Sequence, residues 1–195
     1  EKLRAGLFNI VPYAYIENNK LTGITYDIIQ NLQEESNIKI ETKLLPYKRM
    51  LNDLELGKID FAIFFVSDYS ESFSEKVIAM YDLETIVIGK KDLKISNHND
   101  LLKLHIATPL GVNYNAKLSI DKHLKITRVR DYKNAILMLD NDNIDAIIGP
   151  KEILAYQLKL LGMNINNFGK PYTLITNTAW IQFSDKSKKQ KNKKA

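Results

Sequence analysis

Side chains that could hold a small ligand are few and scattered in this sequence. Arg49, one of four arginines, begins a predicted helix beside the end of a predicted strand, where a guanidinium could grip an anion bidentately. His98, His105 and His123 lack the spacing of metal ligands. The chain has no cysteine, no Gly-x-x-x-x-Gly-Lys phosphate loop and no Gly-x-Ser-x-Gly turn. These residue types favour binding over catalysis, and we expect no enzyme activity, no metal and no cofactor.

The positive charge is concentrated at one end of the chain. Of 195 residues, 45% are hydrophobic and 26% charged, and the formal net charge is +5. Residues 185–195 hold six of the 28 basic residues and one of the 23 acidic ones, which leaves 22 of each in residues 1–184. A neutral body with a solvated lysine block does not predict nucleic-acid binding. No stretch reaches the roughly 18–20 apolar residues of a membrane span.

Strand and helix patterns alternate along the chain. Apolar residues recur at helical spacing after Ile24, and the run 59–66 is apolar enough for a strand covered on both faces. Asn18-Asn19 indicates a hairpin turn, Gly57 a C′ position, and Asp131 a helix N-cap. The predicted strands are 3–10, 38–45, 59–66, 77–80, 85–88, 106–108, 125–129, 144–148, 172–175 and 179–183, with helices at 24–36, 47–56, 99–104, 114–120, after 131, and at 153–161. This alternation predicts an α/β fold with largely parallel sheets.

One internal similarity predicts two related lobes. Residues 54–63 and 139–148 each run from a helix end through a tight turn to Ile-Asp and a buried strand. Their spacing of about 85 residues is too long for a solenoid repeat. We predict lobe 1 at 1–89 with 174–184 returning to it, lobe 2 at 93–172, and a basic tail at 185–195. Hinge motion would use segments 89–93 and 170–173.

The order of motifs resembles that of the bacterial solute-binding proteins of ABC transporters, family 3, the branch of the polar amino acid binders. The resemblance rests on the strand at 3–8, on Pro12-Tyr13-Ala14-Tyr15, on residues 21–28 and on Tyr47-Lys48-Arg49-Met50-Leu51. It implies a two-lobed type II periplasmic-binding fold, with a central mixed sheet in each lobe and an interlobe cleft for the ligand. Family members add a helix after the last strand, so here either the chain is truncated or the lysine tail begins that helix.

The resemblance also suggests which residues touch the ligand. Tyr13 and Tyr15 match the family's aromatic wall, and the segment after Gly111 matches a helix start that donates backbone N–H groups to an anion. Core packing remains the alternative for the tyrosines and for one of the two phenylalanines, because neighbours in a strand face opposite sides. The predicted ligand-binding residues are Tyr13, Tyr15, Arg49, Phe64, Phe65, Ser67, Gly111, Asn113 and Tyr114; Trp180 is predicted to pack.

Two departures from the family pattern bear on the ligand. The amino-acid binders carry an arginine after the first-lobe buried strand, but residues 67–74 contain none. They carry an aspartate after the second-lobe strand, where this chain has Gly149-Pro150, although Lys151 and Glu152 could supply a substitute charge. We therefore predict a small polar ligand other than a standard α-amino acid. Phe64 and Phe65 suggest either that the ligand has an apolar or aromatic portion or that these side chains fill the cleft.

The resemblance implies that the protein delivers its ligand to an ABC transporter permease in the inner membrane. We expect a monomer without a nucleic-acid partner, periplasmic or extracytoplasmic and lipid-anchored, whose precursor carries a signal peptide. Two alternatives use the same fold. One is the ligand-sensing extracytoplasmic domain of a signalling receptor, and the other is a dehydratase-like enzyme.

Overall fold

A computed structural model describes residues 2–110 and 123–192 of the chain, with side chains through Lys188. The chain forms two compact units: unit 1 comprises Glu1–Asp82 and Thr178–Ala195, and unit 2 comprises Leu83–Asn177. It passes from unit 1 to unit 2 within one strand and returns within another. The predicted helix at 114–120 and the predicted ligand residues Gly111, Asn113 and Tyr114 lie outside the described residues.

Unit 1 begins with alternating strands and helices. Asn18 and Asn19 turn the hairpin with positive φ values of 49° and 60°, and Asn37 ends the first helix in the left-handed region. The elements of unit 1 are β1 (Lys2–Phe8), β2 (Tyr15–Glu17), β3 (Lys20–Thr22), α1 (Ile24–Ser36), β4 (Lys39–Leu45), α2 (Tyr47–Glu55), β5 (Phe61–Phe65), α3 (Asp68–Glu71) and the first half of β6 (Ser74–Gly89).

Unit 2 also alternates strands and helices. The carboxylate of Asp131 accepts a hydrogen bond from the Asn134 N–H, which confirms the predicted N-cap. The elements of unit 2 are the second half of β6, α4 (His98–Leu101), β7 (His105–Pro109), β8 (Lys125–Val129), α5 (Tyr132–Asp140), β9 (Ala146–Pro150), α6 (Lys151–Leu160) and a 3₁₀ turn (Ile165–Asn167). Strand β10 (Tyr172–Ser184) then returns to unit 1, where α7 (Asp185–Asn192) follows.

The two units have corresponding sheets. In unit 1 the strand order is β4-β1-β5-β10, with β4, β1 and β5 parallel and β10 antiparallel to β5. In unit 2 the order is β8-β7-β9-β6, with β8, β7 and β9 parallel and β6 antiparallel to β9. The prediction of a mixed sheet in each lobe is confirmed.

Both faces of the unit 1 sheet are covered, as the apolar run of β5 predicts. Phe61 and Ile63 pack with Ile29 of α1 on one face. Phe64 packs with Met50 and Leu54 of α2 on the other. A strand buried on both faces needs apolar residues at successive positions, which explains the unbroken Phe-Ala-Ile-Phe sequence.

An aspartate at the start of a buried strand makes the same backbone contacts in each unit. Asp60 accepts the Arg4 N–H of β1 at 2.7 Å through Oδ2 and donates its own N–H to the Arg4 carbonyl at 2.7 Å. Asp145 accepts the His105 N–H of β7 at 2.8 Å and donates to the His105 carbonyl at 2.8 Å. The internal similarity of the sequence is therefore a repeated hydrogen-bonded join between two strands.

Asp60 also joins the end of the chain to unit 1. The Arg4 guanidinium donates to it from Nε at 3.1 Å and from Nη2 at 2.9 Å, and the hydroxyl of Ser187 in α7 donates to the same carboxylate. Burial raises the pKa of Asp60, but the hydrogen bonds from Arg4 and Ser187 outweigh it and hold that pKa below its ordinary value.

Three predictions of local structure were wrong. The strands predicted at 77–80 and 85–88 are one strand, β6, and those at 172–175 and 179–183 are one strand, β10. Both continue through polar residues, where the Thr178 hydroxyl donates to Asp82 at 2.6 Å and the Thr173 hydroxyl to Glu84 at 3.0 Å. The polar segment 67–74, predicted as loop, contains α3, which Ser67 caps.

We expect Asp60→Asn to destabilise the protein by about 2–3 kcal/mol at pH 7, because it weakens the ion pair with Arg4 and leaves buried donors poorly matched. Since the folded-state pKa of Asp60 is depressed, its ionised form stabilises the fold above the unfolded pKa of about 4, and this contribution is lost as pH falls through the folded pKa. Urea unfolding between pH 7 and pH 3 should show the difference between variant and wild type shrinking with acidification. The exposed Asp92→Asn is the control. A difference that stays constant down to pH 3 would contradict this account.

Candidate functional site

The candidate site of unit 1 lies at the carboxyl edge, which we define as the carboxyl ends of β1, β4 and β5 together with residues 9–14. The three strands end at Phe8, Leu45 and Phe65. The Asn9 N–H donates to the Leu45 carbonyl at 2.9 Å and keeps the start of the loop beside β4. In open α/β sheets ligands bind outside the carboxyl ends of the strands.

Backbone contacts hold loop 9–14 in place. Ile10 and Ala14 form an antiparallel bridge, with N–H···O distances of 3.0 Å in both directions. The first N–H groups of α1 reach the loop as well: Ile24 donates to the Pro12 carbonyl at 3.1 Å, and Thr25 to the Tyr13 carbonyl at 2.8 Å. The start of α1 therefore fixes the loop through main-chain atoms.

Tyr13 is packed rather than exposed. Its side chain is buried and stacks on Tyr81 of β6, with ring centroids 6.2 Å apart and planes 7° apart. The Tyr81 hydroxyl lies 3.3 Å from Oγ1 of Thr25. Tyr15 lies in β2 opposite Thr22 and is half-buried. Tyr13 thus lies within loop 9–14 with its ring in the core, and Tyr15 follows the loop on the hairpin.

A second aromatic pair lies where β1 ends and α2 begins. The rings of Phe8 and Tyr47 have centroids 5.0 Å apart and planes inclined at 55°. Burial raises the pKa of the Tyr47 hydroxyl, so this group stays protonated at neutral pH and can donate a hydrogen bond. The edge therefore offers aromatic surface with a phenolic donor.

The three predicted ligand residues at the end of β5 have different environments: Phe64, Phe65 and Ser67. Phe64 is 5% exposed and belongs to the core on the α2 side, whereas its neighbour Phe65 is 37% exposed. The Ser67 hydroxyl accepts the Ser70 N–H at 3.2 Å as the cap of α3, and the Ser67 N–H donates to the Ser70 hydroxyl at 3.0 Å. Of the three, Phe65 has the side chain best placed to meet a ligand.

Arg49 is bonded within its own helix. Its Nε donates to Oδ1 of Asp53, one turn further along α2, at 2.9 Å, and Asp53 is fully buried. Lys43 of β4 approaches Oδ2 of the same carboxylate at 3.7 Å. Arg49 thus has a carboxylate partner, and its predicted role in gripping a ligand anion stays a prediction.

In unit 2 the position after β9 is occupied by a polar cluster. Lys151, the first residue of α6, donates to Glu84 of β6 at 2.5 Å, and Thr173 of β10 donates to the other Glu84 oxygen at 3.0 Å. The hydrogen bond that Lys151 donates to Glu84 lowers the pKa of Glu84 and raises the pKa of Lys151. The charge of Lys151 is therefore matched inside unit 2.

Sequence reasoning missed Tyr47, Tyr81 and Glu84. Tyr47 directly follows Pro46 at a helix start, a placement that could have marked it as part of the strand edge. Tyr81 and Glu84 lie in β6, whose exposed and polar residues hide its periodicity. Within the described ranges 2–110 and 123–192, no group of three His, Asp or Glu residues could hold a metal ion, and no helix is long and apolar enough to span a membrane.

Comparison with known families gives one match over most of the chain. A model of the bacterial extracellular solute-binding proteins, family 3, matches residues 4–179. This range includes the unit 1 carboxyl edge and all of unit 2.

Two curated relatives are similar over most of this chain. A probable amino-acid-binding protein of Bacillus subtilis (strain 168), YxeM, is 25% identical over 166 residues, covering 82% of this chain and 63% of the relative. A probable histidine-binding protein of Campylobacter jejuni is 24% identical over 149 residues, covering 74% and 57%. The chain thus spans about three fifths of the length of these relatives.

Solved structures share the fold. An L-cystine solute receptor of Neisseria gonorrhoeae in an unliganded open conformation aligns with a TM-score of 0.75 at 17% identity, covering 96% of this chain and 81% of the receptor. An ancestral cationic amino acid solute-binding protein aligns with a TM-score of 0.76 at 19% identity, covering 94% and 82%. The arrangement of strands is therefore that of the type II periplasmic-binding fold.

We expect Gly23→Ala to disturb loop 9–14 selectively. Gly23 has φ of +118°, and an added Cβ would lie 2.5 Å from the Tyr13 carbonyl oxygen. The change should destabilise the protein by about 2–4 kcal/mol through backbone strain and overpacking. Gly162→Ala is the matched control, since Gly162 has φ of +69° and no atom within 4 Å of an added Cβ. Urea unfolding should show a clearly larger loss for Gly23→Ala, and equal losses would mean that the loop does not depend on this close approach.

Proposed function

This chain belongs to the bacterial extracellular solute-binding proteins, family 3, and on that premise we propose that it captures a small solute outside the cytoplasm for an ABC importer. The family match over residues 4–179 and the fold of its structural neighbours support this role. The transporter permease would be its membrane partner. The named relatives are binding proteins, so a binding role without a chemical step is the simplest one for this chain.

The composition of the carboxyl edge supports a proposal for the ligand class. Phe8, Tyr47 and Phe65 give the edge an aromatic character, and the Tyr47 hydroxyl can donate a hydrogen bond. Pockets for small molecules typically combine such apolar walls with a few polar groups. The ligand would accordingly be a small polar molecule with an apolar or aromatic portion.

The observation that carries this proposal is the absence of an arginine after β5. A guanidinium grips a free α-carboxylate with a pair of donors, and the arginine of unit 1 nearest in sequence to β5, Arg49, lies in α2, where its Nε donates to buried Asp53. Residues 66–74, which follow β5, contain no arginine. The position after β5 that carries the arginine in amino-acid binders therefore holds no guanidinium, and we propose that the ligand is not a standard α-amino acid.

The relatives make amino acids the first compounds to test. YxeM is named a probable amino-acid-binding protein and the Campylobacter jejuni relative a probable histidine-binding protein. At 24–25% identity the fold is retained while pocket residues can differ. The missing arginine and the Gly149-Pro150 sequence after β9 are such differences.

A thermal-shift screen tests the ligand class. A ligand that binds only the folded protein stabilises it by RT ln(1 + [L]/Kd), about 2.7 kcal/mol at a concentration of 100 Kd. The screen should contain the twenty standard amino acids, amines, and polar metabolites with aromatic or apolar groups. We expect a concentration-dependent rise in Tm with a member of the last two classes. A comparable rise with a standard amino acid would overturn the ligand proposal, and no rise with any solute would count against the binding role.

We expect Phe65→Ala to weaken binding of the solute found in that screen at least about tenfold, because truncating a buried aromatic contact costs about 2 kcal/mol or more. Titration calorimetry gives the Kd of variant and wild type. Leu160→Ala is the matched control, since Leu160 is an exposed apolar residue at the end of α6 in unit 2. An unchanged Kd for Phe65→Ala would show that the ligand does not bind at the carboxyl edge.

A further inference from the structure

A buried carboxylate in unit 1 is shared by two cations. Asp53 of α2 is fully buried, and its Oδ1 accepts a hydrogen bond from Nε of Arg49 at 2.9 Å. Nζ of Lys43 in β4 lies 3.7 Å from the other oxygen, Oδ2. The side chains of Lys43 and Arg49 are each 58% exposed. We call these three residues the flank cluster, and it combines a buried negative charge with two cations that solvent reaches.

Polar atoms of the flank cluster are left without hydrogen bonds by the residues that the structure describes. Oδ2 of Asp53 is buried and accepts no hydrogen bond from any of them. Nζ of Lys43 is too far from Oδ2 to donate, since N–H···O bonds rarely exceed about 3.2 Å. To this part of the chain Arg49 donates from Nε alone, which leaves its two terminal amino groups available. The cluster therefore needs one donor, at Oδ2, and offers several donors of its own.

Charge neutralisation alone does not account for this arrangement. A buried acceptor without a donor is unfavourable, and nearly all such atoms in native proteins are paired with the protein or with a bound molecule. A lysine that only neutralised Asp53 would gain most by donating to the carboxylate directly. One carboxylate also balances only one of the two cations. These features indicate that a bound molecule with both acceptors and a donor completes the cluster.

The flank cluster is separate from the carboxyl edge. Strand β4 ends at Leu45 and α2 begins at Tyr47, yet Asp53 lies beside Lys43, two residues before the strand ends. Helix α2 thus turns back along β4, and the carboxylate that holds Arg49 lies on the side of unit 1 that these two elements form. An inference about this cluster does not depend on the proposed solute or on its site.

We propose that the flank cluster binds inorganic phosphate. The terminal amino groups of Arg49 match two oxygens of an oxyanion, and Nζ of Lys43 can donate to a third. Inorganic phosphate keeps at least one P–O–H group at neutral pH, and this hydroxyl would donate to Oδ2 of Asp53. Lys43, which is not hydrogen-bonded to Oδ2, would move aside to admit it. Sulfate has no such hydrogen, and a phosphate monoester loses its last one above a pKa of about 6.

Titration of the full chain with sodium phosphate and with sodium sulfate tests this proposal. Constant ionic strength keeps the screening equal. The readout is the NMR signal of the Arg49 Nε–H, which is identified by its absence from R49K. We expect a saturable shift with phosphate by about 10 mM and at least about tenfold weaker binding of sulfate, which leaves Oδ2 without a donor. No saturable shift with phosphate would overturn the proposal, and so would equal affinities for the two anions.

Asp53→Asn tests the role of Oδ2. The asparagine oxygen can still accept from Arg49, but its NH₂ group cannot accept from a P–O–H, so the preference for phosphate over sulfate should fall at least about tenfold. The variant must keep the wild-type circular dichroism for the comparison. An unchanged preference in the folded variant would overturn Asp53 as the group that recognises the hydroxyl.

A matched pair of lysine variants keeps the proposal testable if Asp53→Asn does not fold. Lys39 and Lys43 are both exposed and lie four residues apart in β4, on the same face of the strand. K43Q should weaken phosphate binding at least about fivefold, and K39Q should leave it unchanged, because only Lys43 is close enough to donate to the anion. Equal losses in the two variants would reduce the effect to net charge and overturn a defined site.

Two further measurements define the ligand and separate it from the solute. Glycerol 3-phosphate at about pH 8 carries no P–O–H and should bind at least about tenfold more weakly than inorganic phosphate. Equal binding would overturn inorganic phosphate as the ligand and assign the cluster to phosphate groups in general. The solute-induced rise in Tm should be the same in Asp53→Asn and wild type. Loss of that rise in the folded variant would overturn a separate site, whereas a failed solute screen with intact phosphate binding would count against the carrier role alone.

Discussion

The hydrogen-bonded join between an aspartate and the parallel strand beside it, β1 in unit 1 and β7 in unit 2, is the contact on which both units depend. Asp60 and Asp145 each exchange two hydrogen bonds with the backbone of a neighbouring strand, all at 2.7–2.8 Å. In each unit the carboxylate accepts a backbone N–H of the neighbouring strand, as a backbone carbonyl would. It does so between the end of a helix, α2 or α5, and the start of the next strand. It thereby sets the register of β5 against β1 and of β9 against β7.

The two ends of the unit 1 strands carry different kinds of residue. At the amino ends of β1 and β5, which we call the amino edge, Asp60 bonds both Arg4 and Ser187. This ionic and hydrogen-bonded cluster joins the start of the chain to α7. The carboxyl edge holds aromatic rings and loop 9–14. The polar contacts that position β1 and β5 thus lie at the opposite ends of these strands from the aromatic residues of the carboxyl edge.

Much of the fold could be predicted from sequence, because its signals are local. Helical spacing in α1, the Asn18-Asn19 turn and the unbroken apolar run of β5 follow directly from side-chain periodicity. Strands β6 and β10 could not be predicted as single strands, since Asp82 and Glu84 are stabilised by threonines 89 or more residues away. At the site, Arg49 has an aspartate at i+4 as its partner, and that spacing was readable in advance. The stacking of Tyr13 on Tyr81 depends on a tertiary contact that no local pattern encodes.

Loop 9–14 is held by main-chain contacts, and this affects which substitutions the loop can tolerate. Its position depends on the carbonyl oxygens of Pro12 and Tyr13 and on the bridge between Ile10 and Ala14, which are main-chain contacts that most residue types can make. The two N–H groups at the start of α1 are occupied by the loop and are not available to bind an anion. Substitutions of other side chains around this loop can therefore leave its main-chain path unchanged, provided that Gly23 is kept.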